Sequence, residues 1–218
     1  MSKAQIAYQA KQSILSYPHA KLTAVTEEMT THQIRSSMLR GALNKLRETA
    51  GILNGMSICG PKLGFPYRVI LLRNMASYQA YLNPNIMFKS DELLGMWESC
   101  TSIDGLCAWL PRPRRIGVEY TDEAGQPQRT ELDGLSARLF LHELDHLNGE
   151  SMLTSIPSRD FVVTSTSMEQ KRYWDPNFPS REAFLTPQFH YYDFALSKVF
   201  KVPELAAEAE AYCRLTQQ

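Results

Sequence analysis

The chain has 218 residues, room for one domain with a sizeable core and an addition to it. Lys plus Arg and Asp plus Glu both number 23, so the formal charge is zero, which removes the electrostatic case for general nucleic-acid binding. Hydrophobic residues make up 44% and no apolar run nears the ~18 residues of a membrane span, so an ordinary globular protein is expected and a membrane protein is not.

Residues 1–13 read as a polar lead-in with a helical turn or two, and residues 14–18 as an edge segment ending at Pro18. From Thr30 to Ala50 a long amphipathic helix is predicted. Ile34, Met38, Ala42 and Leu46 recur every four residues with Leu39 and Leu43 beside them, and Gly51 follows as its cap. Residues 55–64 are rich in small side chains, which lets a backbone approach something closely, but they lack the G-K-[ST] of a phosphate loop. Residues 68–73 form a buried strand by their β-branched run, and Tyr81 to Pro84 begins a further strand and turn. Residues 116–121 and 127–132 alternate polar with apolar around a turn at 122–125, which predicts a β-hairpin.

The next stretch is the one with chemistry in it. Residues 142–146 read HELDH, an H-E-x-x-H pattern. Leu135, Leu139, Phe140, Leu144 and Leu147 give the flanking helix an apolar face; Asp133 can cap its start, and Asn148 with Gly149 suits its end. Side chains four apart stand one above the other, so His142 and His146 can aim two imidazoles at one divalent metal. Glu143 sits one position round, close enough to serve a water there without being a ligand. The bland alternative, a helix carrying solvated His and Glu, fits poorly with so apolar a surrounding. A third ligand is still required.

After Ser155 prolines and aromatics crowd into residues 156–203 without a clean period, and from Pro203 a terminal helix is predicted. The element order, a helix, many strands and a helix, indicates α+β. The N-terminal residues lack a secretory layout, and the four cysteines (Cys59, Cys100, Cys107, Cys213) form no C-x-x-C pair. A reducing, cytoplasmic setting is therefore expected.

Three stretches taken together resemble the peptide deformylase family. That family shows G-φ-G-φ-A-A-x-Q near the front (φ apolar), E-G-C-L-S on a strand and H-E-x-D-H on its last helix. Here GMSICGPK stands at 55–62, ESCTS at 98–102 and HELDH at 142–146, in the same order. ILSYPHAKL at 14–22, YLNP at 81–84 and the Pro111-Arg112 pair extend the resemblance over about residues 14–155.

The resemblance implies antiparallel or mixed sheets around a central metal-binding helix, with residues 1–155 as the metallohydrolase domain. Residues 156–218 are then a C-terminal extension, ending in a helix and packed on the domain or on a partner copy. It implies a hydrolase that removes the N-formyl group from N-formylmethionyl nascent peptides in protein biosynthesis. The alternatives are a same-fold hydrolase of another N-formyl or N-acyl compound, or a metal-bound homologue without turnover, against which the intact Glu143 argues. A zincin-type protease is a weaker rival, since its third ligand usually lies downstream of the helix. Cys100, His142 and His146 correspond to the ligands of one divalent ion, iron(II) in the family, with zinc, nickel or cobalt tolerated.

By the same resemblance Glu143 is the general base, and the Thr101 N–H is one oxyanion donor. Lys62 stands where the family has the glutamine that supplies the other, and its ammonium is expected to take over that oxyanion contact, the alternative being a lysine that points to solvent. Gly55, Met56 and Ser57 run beside the substrate, with Glu98 and Ser99 bordering it, while Glu98, Arg112 and Asp145 support the site. The partner is a formylated peptide, free or at the ribosome, with no direct nucleic-acid binding and no membrane; monomer and homodimer stay open. The departures are Ser57 for a glycine, Cys59 and Gly60 for the alanine pair, Lys62 for glutamine and Thr101 for leucine. Cys107, in the substrate-side loop, is either inert or an oxidisable thiol.

Overall fold

The computed structural model describes residues 2–74 and 77–186, with the strands Tyr191–Asp193 and Lys198–Phe200. The helix predicted from Pro203 lies outside the described residues. The fold is α+β, as expected, and the strand pairings are antiparallel among the described residues. The chain forms two compact units, residues 1–93 with 112–151, and residues 94–111 with 152 onward.

The first unit is built on a five-stranded sheet. Its strands are β1 (Ser57–Cys59), β2 (Val69–Asn74), β3 (Ser77–Lys89), β6 (Arg115–Thr121) and β7 (Pro127–Asp133), in that spatial order. Alternation along each strand sorts the side chains onto two faces. Ile58, Val69, Leu71, Ala80 and Leu82 meet Leu39, Leu43, Leu46 and Ala50 of helix α4 (Ser37–Ile52). Cys59, Ile70, Leu72, Tyr81, Ile116 and Val118 meet Phe140, Leu141, Leu144 and Leu147 of helix α5 (Gly134–Leu147). Both helices thus bury one stripe each against a sheet that is apolar on both sides.

Several expectations are corrected here. The lead-in is a ten-residue helix, α1 (Lys3–Gln12), started by a capping box in which Ser2 and Gln5 satisfy each other's backbone N–H. Residues 14–18 form no edge strand; the Leu15 N–H makes one bond, to the Lys62 carbonyl at 2.8 Å, and a short helix, α2 (Ala20–Thr23), follows. The helix predicted over 30–50 is two: a short one, α3 (Thr31–Ile34), and α4. Ser36 divides them because its hydroxyl accepts from Leu39 N–H and starts a new helix. The restart rotates the pattern, and Met38 is left 74% exposed. Gly51 lies inside α4 and the helix ends at Ile52 with Leu53 as its cap, followed by Asn54 at φ 50°. At YLNP the strand β3 does not turn but bulges between Leu82 and Asn85, where the Asn83 side chain grips both Met29 N–H (2.8 Å) and Met29 O (2.7 Å).

The hairpin of β6 and β7 forms as predicted, with Gly125 at φ 81° and the Asp122 carboxylate accepting from Ala124 and Gln126 N–H. Asp133 occupies the cap position of α5 but makes no side-chain cap bond; it pairs instead with Arg114 at 3.2 Å. At the other end Gly149 (φ 74°) admits the Thr23 carbonyl so closely that a Cβ would sit 2.6 Å from its oxygen.

The second unit has a three-stranded sheet ordered β4 (Leu93–Cys100), β5 (Ile103–Pro113) and β8 (Val162–Thr164). Strand β8 supplies the edge by pairing Thr164 with Leu106 and Val162 with Ala108. Its core has an aliphatic cluster, Ile103, Ala108, Leu110 and Met152, and an aromatic one. Trp97 meets Trp174 edge-on at 5.7 Å and donates to the Ala183 carbonyl; Trp109 stacks on Phe161 at 5.3 Å and donates to Thr186 Oγ1.

Candidate active site

Three pieces of the first unit carry polar groups to one place. The first is β1. Because β1 pairs with β2 at Ser57↔Leu72 and Cys59↔Ile70, the side chains of Ser57 and Cys59 share the face that packs against α5, while Ile58 points to the α4 side. The second is the 3-10 turn Gly60–Leu63, opened by Pro61 and closed by Gly64 at φ 76°. Its tight path requires Gly60, where a Cβ would lie 2.5 Å from the Tyr67 carbonyl oxygen. That turn brings Lys62 inward. The third is α5 itself, whose His142, Glu143 and His146 are all buried.

Lys62 and Glu143 form an ion pair with Nζ–Oε1 at 2.8 Å, their side chains 3% and 1% exposed. Ser57 Oγ also donates to Glu143 Oε1, again at 2.8 Å. The other carboxylate oxygen, Oε2, is buried and accepts no hydrogen bond of ordinary geometry. Burial opposes the charged form of Glu143, but the Lys62 ammonium first, then His142 and His146, and the Lys62 hydrogen bond together bring its pKa down to about 2. It is therefore a carboxylate at neutral pH, able to receive a proton. The Cys59 thiol lies against the same group; burial chiefly, and the Glu143 charge next, push it well above its ordinary value.

The rings of His142 and His146 stand one turn apart with centroids at 5.3 Å, as the i, i+4 spacing requires. Cys100 Sγ and one ring nitrogen from each of these histidines lie within 4.8 Å of one another, and all three residues are buried. A thiolate with two imidazoles is a donor set that takes a divalent transition ion and leaves a coordination position open, so these residues fit the metal that the sequence implied.

The remaining expected residues divide by environment. Asp145 pairs with Arg112 at 2.9 Å, both largely buried, so Asp145 is an anchored group rather than a free surface charge. Thr101 and Ser99 are exposed, Glu98 is buried, Met56 is exposed, and Gly55 offers its carbonyl to Tyr78 OH at 2.7 Å. Lys62 does not point to solvent. The convergence of Ser57, Cys59 and Lys62 on Glu143 was not foreseen, although the alternation of residues 57–59 carried the signal for two of them. Cys107, in the second unit, is buried beside Ser165 (3.7 Å), and burial raises its pKa.

Comparison with known proteins identifies the family. The family model for polypeptide deformylase matches residues 11–161. Peptide deformylase 2 of Nostoc sp. is 29% identical over 147 residues, covering 63% of this chain and 82% of that protein. The peptide deformylase-like protein of Brucella melitensis is 33% identical over 138 residues, covering 62% and 82%. Among solved structures, the Synechococcus elongatus deformylase in complex with actinonin superposes with a TM-score of 0.63 at 28% identity, covering 67% of this chain and 79% of its own. The Thermotoga maritima deformylase gives 0.62 at 26%, covering 66% and 97%. The chain therefore belongs to the polypeptide deformylase family, the metallohydrolases that remove N-formyl groups from nascent peptides.

Proposed function

We propose that this chain hydrolyses the formamide of N-formylmethionyl peptides with one divalent ion held by Cys100, His142 and His146. The observation that carries the reading is the buried group of three donors, two of them on the helix that also presents the Glu143 carboxylate, one oxygen of which accepts no hydrogen bond of ordinary geometry. When bound, a divalent ion supplies Lewis acidity, making water more acidic and polarising the formyl carbonyl. Glu143 receives at Oε2 the proton released as the water oxygen attacks the formyl carbon. It returns that proton to the peptide nitrogen as the C–N bond breaks, giving formate and a free amine. The Thr101 backbone N–H donates to the oxyanion, and Gly55, Met56 and Ser57, with Glu98 and Ser99, line the peptide. Arg112 holds Asp145, and so fixes the last turn of the ligand helix.

Iron(II) is the proposed native ion, since a thiolate and two imidazoles suit it and the family resemblance points to it; zinc, nickel or cobalt would occupy the same donors. The proposed setting is cytoplasmic, with the substrate free or emerging from the ribosome and the protein a monomer or homodimer; no described helix is long and apolar enough to cross a membrane. Residues 156–218 are proposed as a packed extension rather than a loose tail, a reading supported by the pairing of β8 with β5 and by Met168 and Ala183 in the aromatic core.

A second reading, hydrolysis of another N-formyl or N-acyl compound, is favoured by Ser57 and Lys62, which alter the substrate-side motif. The experiment is formate release from formyl-Met-Ala-Ser against acetyl-Met-Ala-Ser and non-peptide formamides, using protein loaded anaerobically with iron(II) or nickel. Preference for the formyl peptide is expected. Turnover of other formamides alone would move the assignment to the second reading.

A further inference from the structure

We infer that Ser57 and Lys62 act together as a clamp that holds Glu143 by Oε1 and thereby makes Oε2 the oxygen that moves the proton. The inference rests on Glu143 being the base of the proposed hydrolysis. A glutamate has two chemically equivalent oxygens and a terminal torsion with a broad, roughly two-fold preference, so an unheld carboxylate presents either oxygen at many angles. Here two donors from different positions, the β1 hydroxyl and the ammonium of the 3-10 turn, reach the same oxygen at 2.8 Å each. The second oxygen is buried with no donor of ordinary geometry, the Cys59 thiol being a further side chain that bonds to this carboxylate. The carboxylate's rotation is therefore fixed and its two oxygens are made unlike.

Both clamp residues stand where the family pattern differs, Ser57 for a glycine and Lys62 for a glutamine. Glycine has no side chain to bring to the carboxylate. The lysine offers only donors, so it can grip a carboxylate but accepts nothing in return. Two departures that meet on one atom are one device. Its local supports are the register that turns Ser57 toward α5 and the glycine that lets the turn fold tightly enough to carry Lys62 inward. Lys62 is thus a positioning residue that works through Glu143, a different role from the oxyanion donor its place in the motif implies.

The test is a double-mutant cycle in two readouts, at matched metal content. In formyl-Met-Ala-Ser turnover, Ser57→Gly and Lys62→Met are each expected to lower kcat about tenfold or more, part of the ~10²–10⁴ a general base supplies, with KM nearly unchanged. Ser57→Thr, which keeps the hydroxyl, restores most of the rate. In a Glu143→Gln background Lys62→Met costs nothing further. An oxyanion donor would instead cost ~10²–10³ in either background, and that result overturns the clamp.

In thermal unfolding, Lys62→Met and Glu143→Gln each lower the midpoint, and the double variant is more stable than the two shifts added, because neither charge is left buried alone. Absence of formate release by the wild type would overturn the proposed function and the clamp with it, whereas wild-type turnover with Ser57→Gly and Lys62→Met unimpaired, or additive midpoints, would overturn the clamp alone.

Discussion

The two units differ in how their cores are made. In the first, α4 and α5 close the two faces of one sheet, and nearly every wall residue falls on a helical or strand period: Leu39, Leu43 and Leu46 on one side, Phe140, Leu144 and Leu147 on the other. In the second, one of two clusters is filled by Trp97, Trp109, Phe161 and Trp174, with the Trp97 and Trp109 indoles each donating to one backbone or hydroxyl oxygen, beside an aliphatic cluster of Ile103, Ala108, Leu110 and Met152. A periodic core writes itself into the sequence. An aromatic core held by single hydrogen bonds does not, because each ring buries as much surface as several aliphatic positions and needs no repeat to do so.

The most severe way to probe this difference is to remove one wall residue from each unit. Phe140→Ala and Trp97→Ala should each cost about 3–5 kcal/mol, measured by urea unfolding. Trp97→Phe separates the two kinds of core further, since it keeps most of the ring but leaves the buried Ala183 carbonyl without its donor, and a loss of about 1–3 kcal/mol is expected. A Trp97→Ala variant as stable as wild type would mean that the aromatic cluster is decoration and that the second unit is held by its sheet and its aliphatic cluster.

A smaller effect sharpens the periodic side. Ser36→Ala removes the hydroxyl that starts α4 and should cost about 0.5–2 kcal/mol in the same unfolding measurement. An unchanged midpoint would show that the break between α3 and α4 is imposed by packing rather than by the cap. The smallest expected effect lies in the second unit. Cys107 is buried with a raised pKa, so brief iodoacetamide treatment of the native protein near pH 8 should leave it unmodified by peptide mass mapping. Rapid labelling there would expose an aromatic core that opens readily.

The same contrast explains what could be read from residue order alone. The fold class, the hairpin of β6 and β7 and the ligand helix were legible because each rests on a local period or a turn signal. The split between α3 and α4 was not, since Ser36 acts through one hydroxyl inside an otherwise helical pattern. In the site, the spacing of His142 and His146 is a property of one helix and was readable. Lys62 on Glu143 is a contact between residues 81 apart in sequence, created by a turn whose path depends on Gly60, and no period announces it. The motif places Ser57 beside the substrate, and nothing in the motif announces that its hydroxyl donates to Glu143. The β8 edge strand escaped notice for the opposite reason: three residues are too few for any alternation to stand out.

The central claim, that this chain is a metal-dependent deformylase whose base is Glu143, is tested most directly by formate release from formyl-Met-Ala-Ser by wild-type and Glu143→Gln proteins of equal, measured metal content. The wild type should turn over with close to one ion per chain, and Glu143→Gln should bind the ion equally well while losing ~10²–10⁴ in kcat. Formate release by Glu143→Gln within a few-fold of wild type would contradict the assignment of the base.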